Sequence, residues 1–220
     1  ALASRAGDRR GEAEALASLG GVYSDLSEHG PAESCFSQAI QAFDSLGDIR
    51  GAAIARVGVA KMRERRGDFQ AALNGLREAH DVLARVGDLV WEGVALSALG
   101  SVYMRSGETA TTIEYWERGL ARFNEAGLTP FAVDQLRSLG EAYLALGDAP
   151  SALDRFERAL KTARDLGDDH WQAYALEDIG AVHLREGDWM NAMARLDESL
   201  AIYKRIRDPR SQARALEGTR

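Results

Sequence analysis

The sequence has few of the residues and segments that mark several common protein classes. It contains one cysteine, Cys35, in 220 residues, which excludes an internal disulfide framework and favours a reducing, cytoplasmic location. No apolar run approaches the roughly 18–20 residues that a membrane-spanning helix needs, so we expect no membrane partner. The net charge of −7 disfavours direct binding to nucleic acid, because phosphates are bound by basic surfaces.

The groups that could perform catalysis are scattered rather than clustered. The sequence has no phosphate-binding GxxxxGK[ST] loop, no GxGxxG dinucleotide fingerprint and no HExxH zinc motif. Cys35 lacks a paired histidine or second cysteine, and we interpret it as an unreactive thiol. No metal-ligand spacing connects the four histidines, which are His29, His80, His170 and His183. We therefore predict a protein that is not an enzyme and that needs no cofactor or metal.

What the sequence does contain is an internal repeat, marked by glycine followed by an acidic residue. One set of Gly-Asp pairs lies at 7–8, 47–48, 87–88 and 167–168, which sets the repeat length at forty positions. A second set, of Gly-Asp or Gly-Glu, falls halfway along the repeats, at 67–68, 107–108, 147–148 and 187–188. Each repeat is therefore built from two halves of equal length.

Each half has the pattern of one α-helix. Apolar or small residues in the first half follow the i, i+3, i+4, i+7 spacing of a helix, at Leu16, Leu19, Gly20 and Tyr23. The second half carries a facing stripe at Ala32, Phe36, Ala39, Ile40 and Phe43. Between halves, glycine permits the left-handed backbone that ends one helix, and aspartate caps the start of the next. We predict that small Gly20 and Ala32 bring the helices close, while Leu19, Tyr23 and Phe36 fill the space between them.

These patterns predict an all-α fold of stacked antiparallel helix pairs. One pair cannot bury its apolar face alone, so neighbouring pairs complete the core. We predict a single solenoid over 1–220. It begins with the tail of an earlier helix at 1–7 and ends with the first helix of a sixth repeat at 208–220. The chain is expected to be a fragment of a longer protein. The five complete repeats are predicted at 8–47, 48–87, 88–127, 128–167 and 168–207.

The motif residues resemble a known family. Leu16-x-x-Leu19-Gly20-x-x-Tyr23, followed by Ala32-x-x-x-Phe36, is similar to the tetratricopeptide (TPR) pattern, in the 40-residue variety of bacterial signalling and regulatory proteins. This resemblance implies an α-α superhelix that binds a protein or peptide in a concave groove lined by the first helices. Two alternatives stay open: a sensor segment of a larger transcription regulator or signal-transduction protein, and a self-association module that forms homo-oligomers through exposed repeat ends.

The resemblance also implies which side chains line the groove. Lys61, Arg65 and Arg105 form a local positive patch suited to an acidic segment of a partner. The alternative is that these cations offset the dipoles of their own helix C-termini. Further along the groove, Arg137 would help to orient the partner. The same surface is expected to include Glu141, Tyr174 and Glu177.

Aromatic residues occupy one position in three successive repeats. Trp91, Phe131 and Trp171 stand where the first two repeats have Gly11 and Gly51. Aromatic side chains are favoured as binding anchors because they bury a large area at low entropic cost. They could equally pack on the second helix of the preceding repeat. Two further tryptophans are predicted to be packing residues, and these are Trp116 and Trp189.

The repeat register makes a prediction for stability. Leu136 occupies the first apolar position of the fourth repeat and should be core. Leu136→Ala is expected to lower the free energy of unfolding by roughly 2–5 kcal/mol, because it leaves a cavity. Chemical denaturation of the wild type and the variant measures this difference. An unchanged denaturation curve would show that the register is wrong.

Overall fold

The computed structural model describes residues 8–206, and this part of the chain forms ten α-helices and no strands. The fold class predicted from the repeat is confirmed. The predicted helical segments at 1–7 and 208–220 lie outside the described residues. In chain order the helices are α1 (Arg9–Asp25), α2 (His29–Ser45), α3 (Ile49–Arg65), α4 (Phe69–Val86), α5 (Leu89–Arg105), α6 (Thr109–Glu125), α7 (Thr129–Ala145), α8 (Ala149–Leu166), α9 (Asp169–Arg185) and α10 (Trp189–Arg205).

The Gly-Asp pairs end and begin helices as predicted. Gly87 follows α4 with a left-handed φ of 71°, a conformation that glycine adopts without steric cost. The next residue, Asp88, caps α5 by accepting a hydrogen bond from the Trp91 backbone N–H at 3.1 Å. Asp168 caps α9 in the same way through Trp171. These local interactions make each turn short and repeat it along the chain.

The chain divides into two compact units, 1–122 and 123–220. In the first unit, α1 packs on α2 and α3 on α4, and the pairs join through the contacts α2–α3 and α4–α5. The first helices of successive repeats also touch, α1 with α3 and α3 with α5. In the second unit, α7 packs on α8 and α9 on α10, joined through α8–α9 and α7–α9. Each unit is therefore a stack of helix pairs in chain order.

Within a repeat, a large side chain of the second helix lies against a glycine of the first. A Cβ atom added to Gly140 would stand under 3.0 Å from the Phe156 ring, and one added to Gly100 would meet the Trp116 ring as closely. Phe156 is 1% exposed and Trp116 is 9% exposed. The predictions of close helix approach and of a packing role for Trp116 are confirmed. The glycines are needed because an aromatic ring occupies the place of their side chain.

Two packing predictions are wrong. Leu19 is 48% exposed, because it does not lie on the face of α1 that packs on α2. Trp189, at the start of α10, is 65% exposed, because it does not lie on the face of α10 that packs on α9. By contrast, Leu136 is 4% exposed, as its register predicts.

Among the described helices, none combines the length and apolar content needed to cross a bilayer.

The glycine–ring contact can be tested with one pair of substitutions. Gly140→Ala should lower the free energy of unfolding, because overpacking costs roughly 1–3 kcal/mol and the gain in helix propensity returns at most about 1 kcal/mol. Gly21→Ala is the matched control, since no atom lies within 4 Å of an added Cβ there. It should raise the denaturation midpoint. If both variants shift the midpoint in the same direction, ring contact does not explain the glycine.

Candidate functional site

The first helices of the second unit leave a single stripe of side chains accessible. On α7, buried residues such as Val133, Leu136 and Leu139 cover most of the circumference, because α8 and α9 both pack on this helix. The accessible side chains of α7 include Asp134, Arg137, Glu141 and Ala145. Those of α9 include Tyr174, Glu177, Ala181 and Arg185. We call these two rows the α7–α9 stripe, and they are the positions that the family resemblance assigns to the groove.

Arg137 is the centre of a cluster within the α7–α9 stripe. Its Nε donates a hydrogen bond of 2.5 Å to Oδ2 of Asp178 on the adjacent helix α9. Its guanidinium carbon lies 5.3 Å from the ring centroid of Tyr174 and 5.7 Å from that of Trp171. The two rings contact each other edge to face, with centroids 6.0 Å apart. Arg137 is thereby fixed by one ion pair and two cation–π contacts.

The electrostatics of the cluster are dominated by carboxylates. Burial lowers the pKa of Arg137, but the hydrogen bond and charge of Asp178, together with the charge of Glu141, raise that pKa above its ordinary value. The pKa of Glu141 is also raised, first because its carboxyl group is partly desolvated and then because Asp178 carries a like charge. Arg137 offsets this effect only in part. The charged groups that act on one another here are Asp134, Glu141 and Asp178 with the single cation Arg137, so their formal charge is negative.

The remaining predicted residues of the second unit lie near this cluster or at its edge. Glu177 is half-buried on α9. Phe131 is 51% exposed at the start of α7, and its ring centroid lies 5.4 Å from that of Phe123. Phe131 therefore rests on an aromatic neighbour while keeping half of its surface open. Its position is compatible with packing and with binding.

In the first unit, the predicted cations are engaged between repeats. Arg65 at the end of α3 lies 2.7 Å from Oδ1 of Asp25 and donates a 2.8 Å hydrogen bond to Oγ of Ser24, both on α1. Arg105 at the end of α5 donates to the carbonyl oxygen of Glu64 at 2.9 Å. Both cations link one first helix to the first helix before it. Lys61 is exposed on α3.

These inter-repeat contacts were missed by sequence reasoning, which weighed only an acidic ligand or the dipole of the same helix. A signal was available, because Arg65 follows Asp25 by one repeat and Arg105 follows Glu64 by one repeat and one residue. Arg105 further covers the ring of Phe69, with 5.5 Å between the guanidinium carbon and the ring centroid. The positive patch is therefore partly neutralised by the packing of the repeats.

Trp91 is partly buried and packs against the core cluster that includes Leu83 of α4 and Leu99 of α5. At the same position in the second repeat, a Cβ on Gly51 would lie 2.5 Å from the ring of Phe43. In these two repeats the large Phe43 accompanies glycine in this slot, and the smaller Leu83 accompanies Trp91. This complementarity supports packing as the role of Trp91.

The structure thus brings three predicted residues into direct contact, and they are Arg137, Trp171 and Tyr174. Trp91 is not part of this group, because it packs against the core cluster of the first unit. Asp178, which holds Arg137, was not predicted. Among residues 8–206, no three His, Cys, Asp or Glu side chains are arranged to hold a metal ion.

Comparison with known proteins identifies relatives of this repeat. The sequence model of the tetratricopeptide repeat matches residues 91–165 and 132–205, which together span more than half of the chain. A search of the curated proteins found no match. Solved structures with the same fold are numerous.

Three of these structures are informative about the fold. BtubC from P. vanneervenii has a TM-score of 0.82 and 19% identity, over 94% of this chain and 86% of its own. A STAND protein with a tetratricopeptide repeat sensor from Pyrococcus horikoshii has a TM-score of 0.74 and 17% identity, over 90% of this chain and 31% of its own. A Rap protein complexed with Competence and Sporulation Factor has a TM-score of 0.71 and 17% identity, over 96% of this chain and 64% of its own.

The raised pKa of Glu141 makes a prediction for pH dependence. A carboxyl group with a higher pKa in the folded chain than in the unfolded chain costs stability as the pH rises through these values. Glu141→Gln should therefore raise the unfolding temperature at pH about 7 and leave it nearly unchanged at about pH 3, where glutamate is protonated in both states. Glu157→Gln, at an exposed position of α8, is the control. A gain at pH 7 that persists undiminished at pH 3 would contradict the electrostatic explanation.

Proposed function

This chain belongs to the tetratricopeptide repeat family, and from that premise we propose that it is a non-catalytic scaffold that binds a protein or peptide along its first helices. The observation that carries the proposal is the α7–α9 stripe, the accessible side chains of two adjacent, closely packed first helices. At its centre, Arg137 is held against Trp171 and Tyr174. A partner would therefore meet a surface whose side chains are already ordered.

This arrangement suits recognition of an extended segment. Trp171 and Tyr174 are partly buried, so their orientations are fixed before a partner arrives and little entropy is lost on binding. Aromatic and arginine side chains dominate the energetics of many protein interfaces. Phe131, half exposed at the start of α7, would add a further apolar contact. Glu141 and Glu177 would direct basic or hydrogen-bond-donating groups of the partner.

In the first unit, the proposed contact is with an acidic segment. Lys61 is exposed, and the side chains of Arg65 and Arg105 keep 43% of their area accessible despite their ion pairs. A guanidinium has five N–H donors, so each arginine can bind its neighbour in the array and a carboxylate of a partner at the same time. Trp91 would contribute mainly by holding α5 in place.

The structural relatives agree with this proposal and suggest a second candidate. The Rap structure contains a protein bound to Competence and Sporulation Factor, and the Pyrococcus horikoshii protein carries its repeats as a sensor. A sensor segment of a larger signalling protein is therefore the second candidate function. Both functions are compatible with the cytoplasmic location that the single cysteine, Cys35, favours.

The scaffold proposal can be tested with a phage-displayed library of random linear peptides as the probe. Peptides selected on the wild type should bind Glu141→Lys and Phe131→Ala at least tenfold more weakly. A tenfold loss corresponds to about 1.4 kcal/mol, which is within the range that a single interfacial side chain contributes. Affinities are measured by isothermal titration calorimetry. Both positions are exposed, so the fold should be preserved, and far-UV circular dichroism checks this.

The matched control is Glu157→Lys, which makes the same charge reversal on the second helix α8. It should leave the affinity unchanged. If Glu157→Lys weakens binding as much as Glu141→Lys, the peptides respond to net charge and not to the α7–α9 stripe. If selection yields no peptide that distinguishes the stripe variants from the wild type, the proposed site is wrong.

A further inference from the structure

Helix α7 presents two exposed acidic residues on the α7–α9 stripe, on either side of Arg137. Asp134 lies one turn before Arg137 and Glu141 lies one turn after it. The two residues are therefore two turns apart, which is about 10 Å along the helix axis. A single metal ion could not bridge them, because it holds its oxygen ligands within about 2.6 Å. Asp134 and Glu141 are thus two separate positions at which a positive charge could bind.

Neither of these carboxylates has a partner in the part of the chain from 8 to 206. No hydrogen bond or ion pair joins Asp134 or Glu141 to another described residue. Arg137 lies between them, but its Nε donates to Asp178 and its guanidinium covers the rings of Trp171 and Tyr174. Both carboxylates therefore keep their full capacity to accept hydrogen bonds from a ligand.

The surroundings of Glu141 make a positive charge especially favourable there. Its pKa is raised because its carboxyl group is partly desolvated and because Asp178 and Asp134 carry like charges, while Arg137 offsets this only in part. A cation beside Glu141 would reduce the repulsion and favour the charged carboxylate. Glu141 would therefore gain more from a cationic partner than an isolated surface glutamate would.

The two carboxylates are a property of α7 and not of the repeat. At the same two positions the other first helices have Glu14 and Gly21 on α1, Ile54 and Lys61 on α3, Val94 and Ser101 on α5, and Tyr174 and Ala181 on α9. Glu14 is the one carboxylate among these residues, and Arg10 pairs with it at 3.2 Å. A requirement of the fold would recur in other repeats, so the fold does not explain the pair on α7.

We propose that the segment bound by the α7–α9 stripe is basic, with one Lys or Arg side chain paired with Asp134 and a second paired with Glu141. This inference rests on the scaffold function proposed above and names the chemistry of its partner. Side chains on one side of an extended segment are two or four residues apart, which spans roughly 7 or 13 Å. The long, flexible stems of lysine and arginine can adapt either spacing to the two carboxylates.

The same charges would exclude the opposite kind of partner. An acidic segment on the α7–α9 stripe would meet Asp134 and Glu141 without compensation, because Arg137 is already bound to Asp178. Complementary charge contributes mainly to specificity, since a like charge placed against another costs affinity. The stripe therefore differs from the first unit, for which an acidic segment is proposed.

The test is a selection of random linear peptides, displayed on phage, on the wild type and on the double variant Asp134→Lys/Glu141→Lys. Peptides recovered on the wild type should carry Lys or Arg at two positions, two or four residues apart. Peptides recovered on the double variant should carry Asp or Glu instead. Circular dichroism should be unchanged, because both positions are exposed.

A thermodynamic cycle measures the pairing itself. Replacing the two basic residues of a selected peptide by Gln should weaken its binding to the wild type by about fivefold or more, because each exposed ion pair contributes a few-fold. The same replacement should have no effect on binding to Asp134→Asn/Glu141→Gln, which lacks the two charges. Isothermal titration calorimetry gives the four affinities. Salt at about 0.5 M should weaken the basic peptide and spare its Gln version.

Glu157→Lys on α8 is the matched control and should still select basic peptides. Two failures are distinguishable. If selected peptides lose affinity for Phe131→Ala but show no preference for basic residues, or if the Gln replacement weakens binding equally to both forms, this inference is overturned and the scaffold function stands. If no selected peptide depends on the stripe, the scaffold function is wrong and this inference falls with it.

Discussion

The contact between a large side chain and a glycine, present in four of the five described helix pairs, is the constraint on which the other features depend. Phe156 lies against Gly140, and Trp116 lies against Gly100 in the same way. This contact lets the two helices approach so closely that the first helix is enclosed by its partner and by the neighbouring repeats. On α7 and α9 the α7–α9 stripe then remains open, so a ligand that binds these two helices would use that stripe.

Features that depend on neighbouring residues in the chain could be predicted from the sequence. Caps such as Asp88 and turn glycines such as Gly87 act within a few residues, so their constant spacing along the chain fixes the positions of the helices. The core position of Leu136 and the packing of Trp116 follow from the same register. Local interactions repeated at a constant spacing are therefore sufficient to establish the class of fold and the positions of the helices.

Features that depend on contacts between repeats could not be predicted in this way. Arg65 and Arg105 had the charge expected of a ligand site, but each meets an acidic residue or a carbonyl group of the repeat before it. Trp91 and Trp171 share one position, yet the first packs in the core and the second supports Arg137. The exposure of Leu19 was missed for the same reason, because burial at its position is supplied by another repeat.

The cluster around Arg137 connects the proposed binding site with the packing of the repeats, because the residues proposed to meet a partner also hold α7 against α9. The ion pair with Asp178 and the contacts with Trp171 and Tyr174 all connect adjacent first helices. A partner bound over these rings would add contacts to both helices and would stabilise their stacking by mass action. Binding at this proposed site would therefore be coupled to the packing of the repeats. Glu141 lies beside the cluster and is exposed, so its substitution can test binding while the contacts of Arg137 with Asp178, Trp171 and Tyr174 stay in place.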